Sequence, residues 1–224
     1  MERFKKGVIF LKHMRPILVG IDRDGTLHND VGYLGRETDW AGQLELCEGV
    51  IEGIKLLNRN DLIKIIVATN QAGVARGFFG TERIEEVNRA IDSMLSSQYA
   101  RIHNWQYCPF VTPEYAVEKK IPKDSKWVRK MSEFYGLRKP GTGMLKKAAE
   151  ELGHYLNGFE EIYFIGDKTD DVKTGINAGG IGILLSPDKE KAKDIMVDET
   201  RRIVVASNFY NACKWVMEDL QNKQ

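Results

Sequence analysis

The sequence has few cysteines, no long apolar run and almost no net charge. Its 224 residues include only three cysteines, Cys47, Cys108 and Cys213, which lie far apart. An odd, scattered set cannot form a disulfide framework, and it favours a reducing compartment, so we expect a cytoplasmic protein. No stretch approaches the ~18 apolar residues of a membrane helix. We therefore expect no membrane partner.

The charge balance excludes another class of function. The chain has 33 basic and 32 acidic residues, a formal net charge of +1, so the whole protein is not an electrostatic binder of nucleic acid. Apolar residues make up 42%, enough for a packed core rather than a disordered chain. We expect one domain over residues 1–224, with 1–15 as an N-terminal extension and a monomer as the default.

Short β-branched runs that alternate with helical patterns predict the fold class. The predicted strands are residues 17–21, 62–68, 105–107, 162–165, 181–185 and 203–206. The predicted helices are residues 49–59, 81–97, 142–152, 169–178 and 207–220, the last one capped by Ser207. This alternation predicts an α/β fold with a doubly wound parallel sheet.

Residues 109–140 interrupt this alternation and predict a long loop insertion with one or two helical turns. Loops of this length in compact domains are usually functional or disordered. From Glu118 to Lys139 the loop has eight basic and three acidic residues. It could be a solvated loop, a site for a second phosphate, or a contact for a nucleic-acid end, since aromatics among basic residues can stack bases.

Polar side chains gather where the predicted strands end. In open α/β sheets ligands bind at the carboxyl ends of the strands, which brings these residues to one edge. They are Asp22, Asp24, Gly25 and Thr26 after the first strand, Thr69 and Asn70 after the second, Asp167, Lys168 and Asp171 after the strand at 162–165, and Arg138 and Lys139 before a helix.

These residue types suit phosphoryl transfer. A carboxylate can attack phosphorus and form an aspartyl-phosphate, while a second carboxyl group moves the proton. Carboxylate oxygens also suit Mg²⁺, and hydroxyl, amide and ammonium groups can hold the phosphate oxygens. Because side chains two apart on an extended chain point to one side, Asp22 and Asp24 can both face the phosphate.

Each group also has a purely structural explanation. Asp22 to Thr26 could be a turn, Thr69 could close a strand, and Asp171 could cap a helix. Lys139 could be a solvated surface residue. Their order and their shared position at strand ends favour the functional interpretation of the whole set.

These motifs resemble the haloacid dehalogenase superfamily of phosphohydrolases. The match is to Asp22-x-Asp24-Gly25-Thr26, then Thr69-Asn70, then Lys139, then Asp167-x-x-x-Asp171. The blocks "DRDGTLHNDVGYL", "ATNQAGVARG", "YCP", "RKPGTGML" and "GDKTDDV" look like its histidinol-phosphate and heptose-bisphosphate phosphatase branch. The resemblance covers residues 16–185 and implies a capless Rossmann-like fold.

The resemblance implies a role for each matched residue. Asp22 would be the nucleophile and a Mg²⁺ ligand, and Asp24 would be the general acid and base, with its backbone carbonyl on the metal. Gly25 and Thr26 would shape the turn. The remaining expected site residues are Thr69 and Lys139 on the phosphoryl group, Asn70, Arg138 and Tyr33 on phosphate or substrate, and Asp167, Lys168 and Asp171 at or beside the metal.

One departure concerns zinc. Relatives often hold a structural zinc with Cys-x-His and Cys-x-Cys pairs, which correspond here to Cys108-Pro109-Phe110 and Tyr135-Gly136-Leu137. One sulfur of four ligands remains, so we predict no zinc and a packed Cys108 thiol. Aromatic packing, by Trp127, Phe134 and Tyr135, would hold the loop instead.

The resulting hypothesis is a Mg²⁺-dependent phosphatase of a small phosphorylated metabolite. Heptose 1,7-bisphosphate is the first expected substrate and histidinol phosphate the second. A polynucleotide 3′-phosphatase is the alternative, because "RKPGTGM" also resembles the 3′-phosphatase domain of polynucleotide kinases. A receiver-like signalling module also uses an Asp, Mg²⁺, a Thr and a Lys, but it has no need of Asp24.

Overall fold

A six-stranded parallel sheet is the centre of the fold. The computed structural model describes residues 15–134, 136–186 and 202–223. The strands are β1 (Ile17–Ile21), β2 (Ile63–Asn70), β3 (Asn104–Cys108), β4 (Glu161–Gly166), β5 (Ile181–Leu185) and β6 (Ile203–Ala206). Their order is β3-β2-β1-β4-β5-β6, so β1 lies inside the sheet between β2 and β4. The predicted α/β class with a parallel sheet is confirmed.

Helices connect the strands and cover the sheet. They are α1 (Val50–Leu57), α2 (Ala72–Ala75), α3 (Thr81–Ser96), α4 (Pro113–Glu118), α5 (Gly143–Glu151), α6 (Thr169–Asn177) and α7 (Phe209–Asn222). None of the helices described is long and apolar enough to cross a membrane. Between β1 and β2 the chain forms only α1 and a short 3₁₀ helix, Trp40–Gln43. That connection holds no cap domain.

Successive residues of the inner strands pack on opposite faces of the sheet. On β1, Val19 and Ile21 join an apolar cluster that includes Ile54 of α1, Ile91 of α3 and Val216 of α7. The other face packs against α5, where Leu18, Ile66 and Phe164 meet Met144, Leu145 and Ala148. Burial on both faces explains the continuous apolar runs of these strands. The sheet is therefore doubly wound, and the carboxyl ends of its parallel strands all lie along one edge.

The boundaries differ from the sequence prediction in informative places. β2 continues through Thr69 and Asn70, so these residues belong to the strand rather than to its exit. The short helix α2 was not predicted because its four residues give no helical period. The predicted cap Ser207 is wrong, since Asn208 caps α7 by accepting a hydrogen bond from the Asn211 backbone N–H at 2.9 Å.

The insertion at 109–140 is ordered by aromatic packing. It contains α4 and a 3₁₀ helix, Met131–Phe134, as predicted. The ring of Phe110 lies 5.5 Å from that of Phe134 and 5.6 Å from that of Trp127, measured between centroids. The predicted contributions of Trp127 and Phe134 are thus confirmed. Tyr135 and the proposed extension, apart from Arg15, lie outside the described residues.

Candidate active site

One cavity lies at the carboxyl edge of the central strands. Its volume is about 360 Å³ and its wall combines acidic, basic and aromatic side chains. Of the residues predicted from the sequence, the wall includes Asp22, Asp24, Tyr33, Thr69, Asn70, Arg138, Lys139, Lys168 and Asp171. Residues that lie far apart in the sequence therefore meet at one site.

A buried lysine joins two carboxylates at the base of the cavity. Lys139 Nζ lies 2.6 Å from Asp22 Oδ1 and 2.6 Å from Asp171 Oδ1. All three side chains are at most 6% exposed. Burial and the charges of Asp171 and Asp24 raise the pKa of Asp22, against the lowering effect of Lys139. Burial lowers the pKa of Lys139, but Asp171 and Asp22 outweigh it and raise that pKa, so the lysine keeps its charge.

Asn70 fixes the backbone that carries this lysine. Its side-chain Nδ2 donates to the Lys139 carbonyl at 3.2 Å, and its Oδ1 accepts from the Lys139 N–H at 3.0 Å. The sequence suggested that Asn70 contacts phosphate or substrate. In the structure its amide is instead used to hold Lys139 at the end of β2.

Four side chains surround the carboxyl group of Asp24. Its Oδ1 lies 2.9 Å from Arg23 Nη2 and 2.9 Å from His28 Nε2. Its Oδ2 accepts from Thr69 Oγ1 at 3.0 Å and from Gln71 Nε2 at 2.6 Å. Thr69 therefore contacts the second aspartate, and it also lines the cavity where a phosphoryl group would bind.

The neighbours of Asp24 decide its charge. Burial raises the pKa of this carboxyl group, but the Arg23 charge and the hydrogen bond and charge of His28 lower it far below its usual range. Asp22 and Asp24 are only two residues apart, yet their pKa values shift in opposite directions. A carboxyl group whose pKa is lowered so far is ionised at neutral pH, which suits it to accept a proton as a base.

Three residues that hold Asp24 were not predicted from the sequence. Arg23, His28 and Gln71 are all buried. Arg23 donates to Asn88 Oδ1 on α3 at 2.9 Å, which anchors its guanidinium behind Asp24. The only sequence signal for these residues was that they are charged or polar and lie at or just after the end of a strand. Their contacts with Asp24 depend on tertiary packing, which the sequence does not show.

The carboxylates can hold a divalent cation. Oxygens of Asp22, Asp167 and Asp171 lie within 4.8 Å of one another. Asp167 Oδ1 is buried and makes no hydrogen bond with the residues described. Both oxygens of Asp171 are engaged, one by Lys139 and the other by the Lys168 N–H at 3.0 Å. The free oxygen of Asp167 is thus the best open ligand in the group, and oxygen ligands suit Mg²⁺.

Gly25 and Thr26 shape the floor of the site rather than its wall. Gly25 has φ +83°, and a Cβ there would lie 2.6 Å from Asp167 Oδ2. Only glycine allows Asp167 to approach so closely. Thr26 is fully buried in the turn, and its Oγ1 makes no hydrogen bond within the described part of the chain.

The mouth of the cavity carries aromatic and basic side chains. Arg76 Nη1 donates to Tyr33 Oη at 2.6 Å, and the guanidinium of Arg138 lies 5.2 Å from the ring centre of Tyr115. Lys168 Nζ lies 3.4 Å from Asp30 Oδ2. Tyr115 belongs to α4, so the insertion forms part of the cavity wall, which the sequence left undecided.

Cys108 lies in the apolar cluster beneath α5. It is fully buried, and burial raises its pKa to about 11. A thiol with this pKa is protonated at neutral pH, and a metal would need the thiolate. The buried position of Cys108 agrees with the prediction, while the absence of zinc stays a prediction.

The chain is similar in sequence to known phosphatases. The HAD-hydrolase-like family model matches residues 136–212. The D-glycero-beta-D-manno-heptose-1,7-bisphosphate 7-phosphatase of Haemophilus influenzae is 32% identical over 158 residues, which cover 70% of this chain and 74% of that protein. The enzyme of the same name from Escherichia coli K12 is 30% identical over 182 residues, covering 78% and 84%.

Solved structures show the same fold. The D,D-heptose 1,7-bisphosphate phosphatase of B. bronchiseptica, complexed with magnesium and phosphate, aligns with a TM-score of 0.67 at 19% identity, covering 90% of this chain and 98% of that one. A putative HAD-like phosphatase of Mesorhizobium loti aligns with a TM-score of 0.62 at 24% identity, covering 81% and 85%.

Proposed function

Because the chain belongs to the haloacid dehalogenase superfamily, in its histidinol-phosphate and heptose-bisphosphate phosphatase branch, we propose that it hydrolyses a phosphate monoester through an aspartyl-phosphate. The observation that carries the proposal is the pairing of Asp22 with Lys139 beside Asp24 in one cavity. The relatives' activity and the geometry of the cavity support the same reaction.

In the first step Asp22 attacks the substrate's phosphorus. A bond forms between a carboxylate oxygen of Asp22 and phosphorus, and the bond to the leaving oxygen breaks. Lys139 lies between Asp22 and Asp171, so its fixed ammonium group can stabilise the negative charge of the transferring phosphoryl group. Thr69 supplies a hydroxyl group on the adjoining strand.

Asp24 handles the proton in both steps. The negative charge of a bound phosphate would raise the pKa of this neighbouring carboxyl group, so that Asp24 can take up a proton. As an acid it gives that proton to the leaving oxygen, and the product departs as an alcohol. As a base it then takes a proton from the water that attacks the phosphorus of the aspartyl-phosphate. The bond between phosphorus and Asp22 breaks, and Asp22 is restored as a carboxylate.

We propose Mg²⁺ as the cofactor, held by Asp22, Asp167 and the backbone carbonyl of Asp24. When bound, such a cation neutralises phosphate charge. The unpartnered oxygen of Asp167 and the carboxylate group around it support this choice. Asp171 is the weaker ligand because Lys139 and the Lys168 N–H occupy it, and its part is chiefly to position Lys139.

The proposed substrate is D-glycero-D-manno-heptose 1,7-bisphosphate, cleaved at its 7-phosphate. The relatives carry that activity in their names, and the cavity mouth offers Arg138, Lys168 and Tyr33 for the rest of a small anionic substrate. Histidinol phosphate is the next candidate. The proposal describes a single-domain cytoplasmic enzyme, with a monomer as the default state.

A polynucleotide 3′-phosphatase is the second candidate. The insertion favours it in one respect, since Lys126 lies 4.9 Å from the ring centre of Trp127 and Arg129 lies 5.0 Å from that of Phe110. Such stacked basic and aromatic side chains can bind a nucleic-acid strand. The family membership argues against the receiver-like alternative.

The test is a set of initial rates with Mg²⁺ on four substrates. Heptose 1,7-bisphosphate, histidinol phosphate, a simple sugar phosphate and a 3′-phosphorylated oligonucleotide are compared by phosphate release. We expect the highest kcat/KM on the heptose bisphosphate. A preference for the oligonucleotide would replace the proposed substrate, and no turnover of any monoester would overturn the phosphatase proposal.

A further inference from the structure

His28 stands out because it is a fully buried imidazole whose ring contacts Asp24 directly. Its relative exposure is 0%, and main-chain pairing holds it on both sides, to Asp24 and to Leu46. The Gly25 N–H donates to the His28 carbonyl at 2.9 Å, which closes the turn that carries both residues. The backbone therefore fixes where the ring lies.

Both ring nitrogens of His28 are occupied. Nδ1 lies 2.8 Å from the Asn29 carbonyl oxygen, and Nε2 lies 2.9 Å from Asp24 Oδ1. A carbonyl oxygen can only accept, so Nδ1 must carry a hydrogen and donate it. The opposite end of the ring then places Nε2 against Oδ1 of Asp24, a contact that holds the carboxyl group whichever of the two atoms carries the hydrogen. The ring is locked at two ends and cannot turn without losing a hydrogen bond.

Arg23 and His28 hold Asp24 from its buried side, while Asp24 itself lines the cavity. The side chain of Asp24 is 16% exposed, whereas those of Arg23 and His28 are 1% and 0% exposed. Arg23 is anchored in turn by Asn88. An apolar side chain would fill the same space without the cost of burying a polar ring. The site therefore uses the imidazole for its contact with Asp24.

We propose that His28 is a positioning residue for proton transfer, which fixes the carboxyl group of Asp24 against the leaving oxygen of the substrate. The inference rests on the proposed function, because it assigns Asp24 the proton transfer of the phosphatase reaction. A group held in place by hydrogen bonds keeps the geometry that proton transfer requires.

The consequence differs between leaving groups. An alkyl alkoxide is a poor leaving group and needs a proton as the bond to phosphorus breaks. A p-nitrophenolate ion leaves readily without one. If the carboxyl group of Asp24 is no longer held in place, the hydrolysis of an alkyl phosphate should therefore slow much more than that of p-nitrophenyl phosphate. Loss of folded protein would slow both equally.

The experiment compares kcat/KM for a sugar phosphate and for p-nitrophenyl phosphate in three variants of the full chain. In His28→Leu we expect a loss of about 10²-fold on the sugar phosphate, the lower range for general acid catalysis, and a loss several times smaller on p-nitrophenyl phosphate. His28→Gln, whose amide can donate towards Asp24, should recover most of the rate. His154→Leu, on a histidine that packs against Phe159 instead, is the matched control and should leave both rates unchanged.

The outcomes separate the two claims. Equal losses on both substrates in His28→Leu, or no loss on the sugar phosphate, would overturn the positioning role. If His28→Leu does not fold, His28→Met also lacks the ring nitrogen that contacts Asp24 and fills the space with a flexible apolar chain. The ratio of the losses on the two substrates then decides. Wild-type protein that hydrolyses neither ester would overturn the proposed function and the role of His28 with it.

Discussion

At the scale of single residues, the site depends on charges that are buried together. Lys139 lies between Asp22 and Asp171 with 3% of its side chain exposed. The sequence, through the family resemblance, predicted that Lys139 binds the phosphoryl group, but it did not show which side chains surround this lysine. Lys139 is buried between two carboxylates only because the folded chain brings residues 22, 139 and 171 together.

Replacing Lys139 should cost stability as well as activity. In Lys139→Met two buried carboxylates lose the cation between them, and breaking a buried ion pair costs about 3 kcal/mol or more. We expect the free energy of unfolding, measured in urea at neutral pH, to fall by about that amount and phosphate release to be lost. Lys147→Met, on a side chain 59% exposed, is the control. A cost for Lys139→Met no greater than the control's would contradict this account.

His103 should make stability depend on pH. Burial lowers its pKa to about 4, and its Nδ1 accepts a hydrogen bond from the Ile65 N–H at 3.0 Å. Between pH 4 and about 6.5 the unfolded chain therefore binds more protons than the folded one. The free energy of unfolding contributed by this group is fully present above pH 6.5 and falls as the pH falls towards 4.

The measurement is urea unfolding of wild type and His103→Asn at pH 7 and pH 5. Asparagine can accept the same hydrogen bond but does not titrate. The full pKa shift would make the variant lose about 2 kcal/mol less stability between the two pH values. Because the ring is only half-buried and solvent screens its charge, we expect a difference of about 1 kcal/mol. Identical losses in the two proteins would show that His103 does not titrate in this way.

At the scale of elements, β1, β2, β4, β5 and β6 followed from apolar runs, and the helices between them from helical spacing. Two features did not. The helix α2 is too short to show a period, and the cap of α7 lies one residue beyond Ser207. The contribution of α4 to the cavity wall was also beyond the sequence, because it depends on how Tyr115 packs beside Arg138.

The insertion at 109–140 should behave as a packed unit that supports the cavity. Trp127 accepts a backbone hydrogen bond from Val111 at 2.9 Å, and its ring packs on Phe110. In Trp127→Ala we expect faster tryptic cleavage at the exposed Lys123, Lys126 and Arg129 and a KM raised several-fold, because Tyr115 and Arg138 lose support.

The control for this prediction is Val117→Ala, on a side chain 63% exposed on the same insertion. It should leave both the cleavage rate and KM as in wild type. Cleavage and KM unchanged in Trp127→Ala would mean that the aromatic cluster does not hold the cavity wall.

At the scale of the whole molecule, a bound cation should stabilise the fold. A ligand that binds only the folded state adds about 2.7 kcal/mol at a concentration one hundred times its Kd. We expect Mg²⁺ to raise the Tm of wild type and to lose this effect in Asp167→Asn. Asp170→Asn, an exposed neighbour on α6, should keep it. Equal shifts in wild type and Asp167→Asn would argue against the assigned ligand.

The reaction class could be predicted at this scale better than the substrate. Residues at strand ends meet at one edge in any parallel sheet, so Asp22, Thr69, Lys139 and Asp167 could be grouped from the sequence. The residues behind them, Arg23, His28 and Gln71, become visible only through side-chain packing. We expect substrate choice to depend on the mouth of the cavity, where the insertion contributes Tyr115 and Arg138.

The most direct test of the central claim is phosphate release from heptose 1,7-bisphosphate, with Mg²⁺, by wild type and by Asp22→Asn. An amide in place of the nucleophilic carboxylate cannot form the aspartyl-phosphate. The account predicts steady turnover by wild type, with one phosphate released per substrate molecule, and loss of turnover in Asp22→Asn. Comparable rates in the two proteins would contradict it.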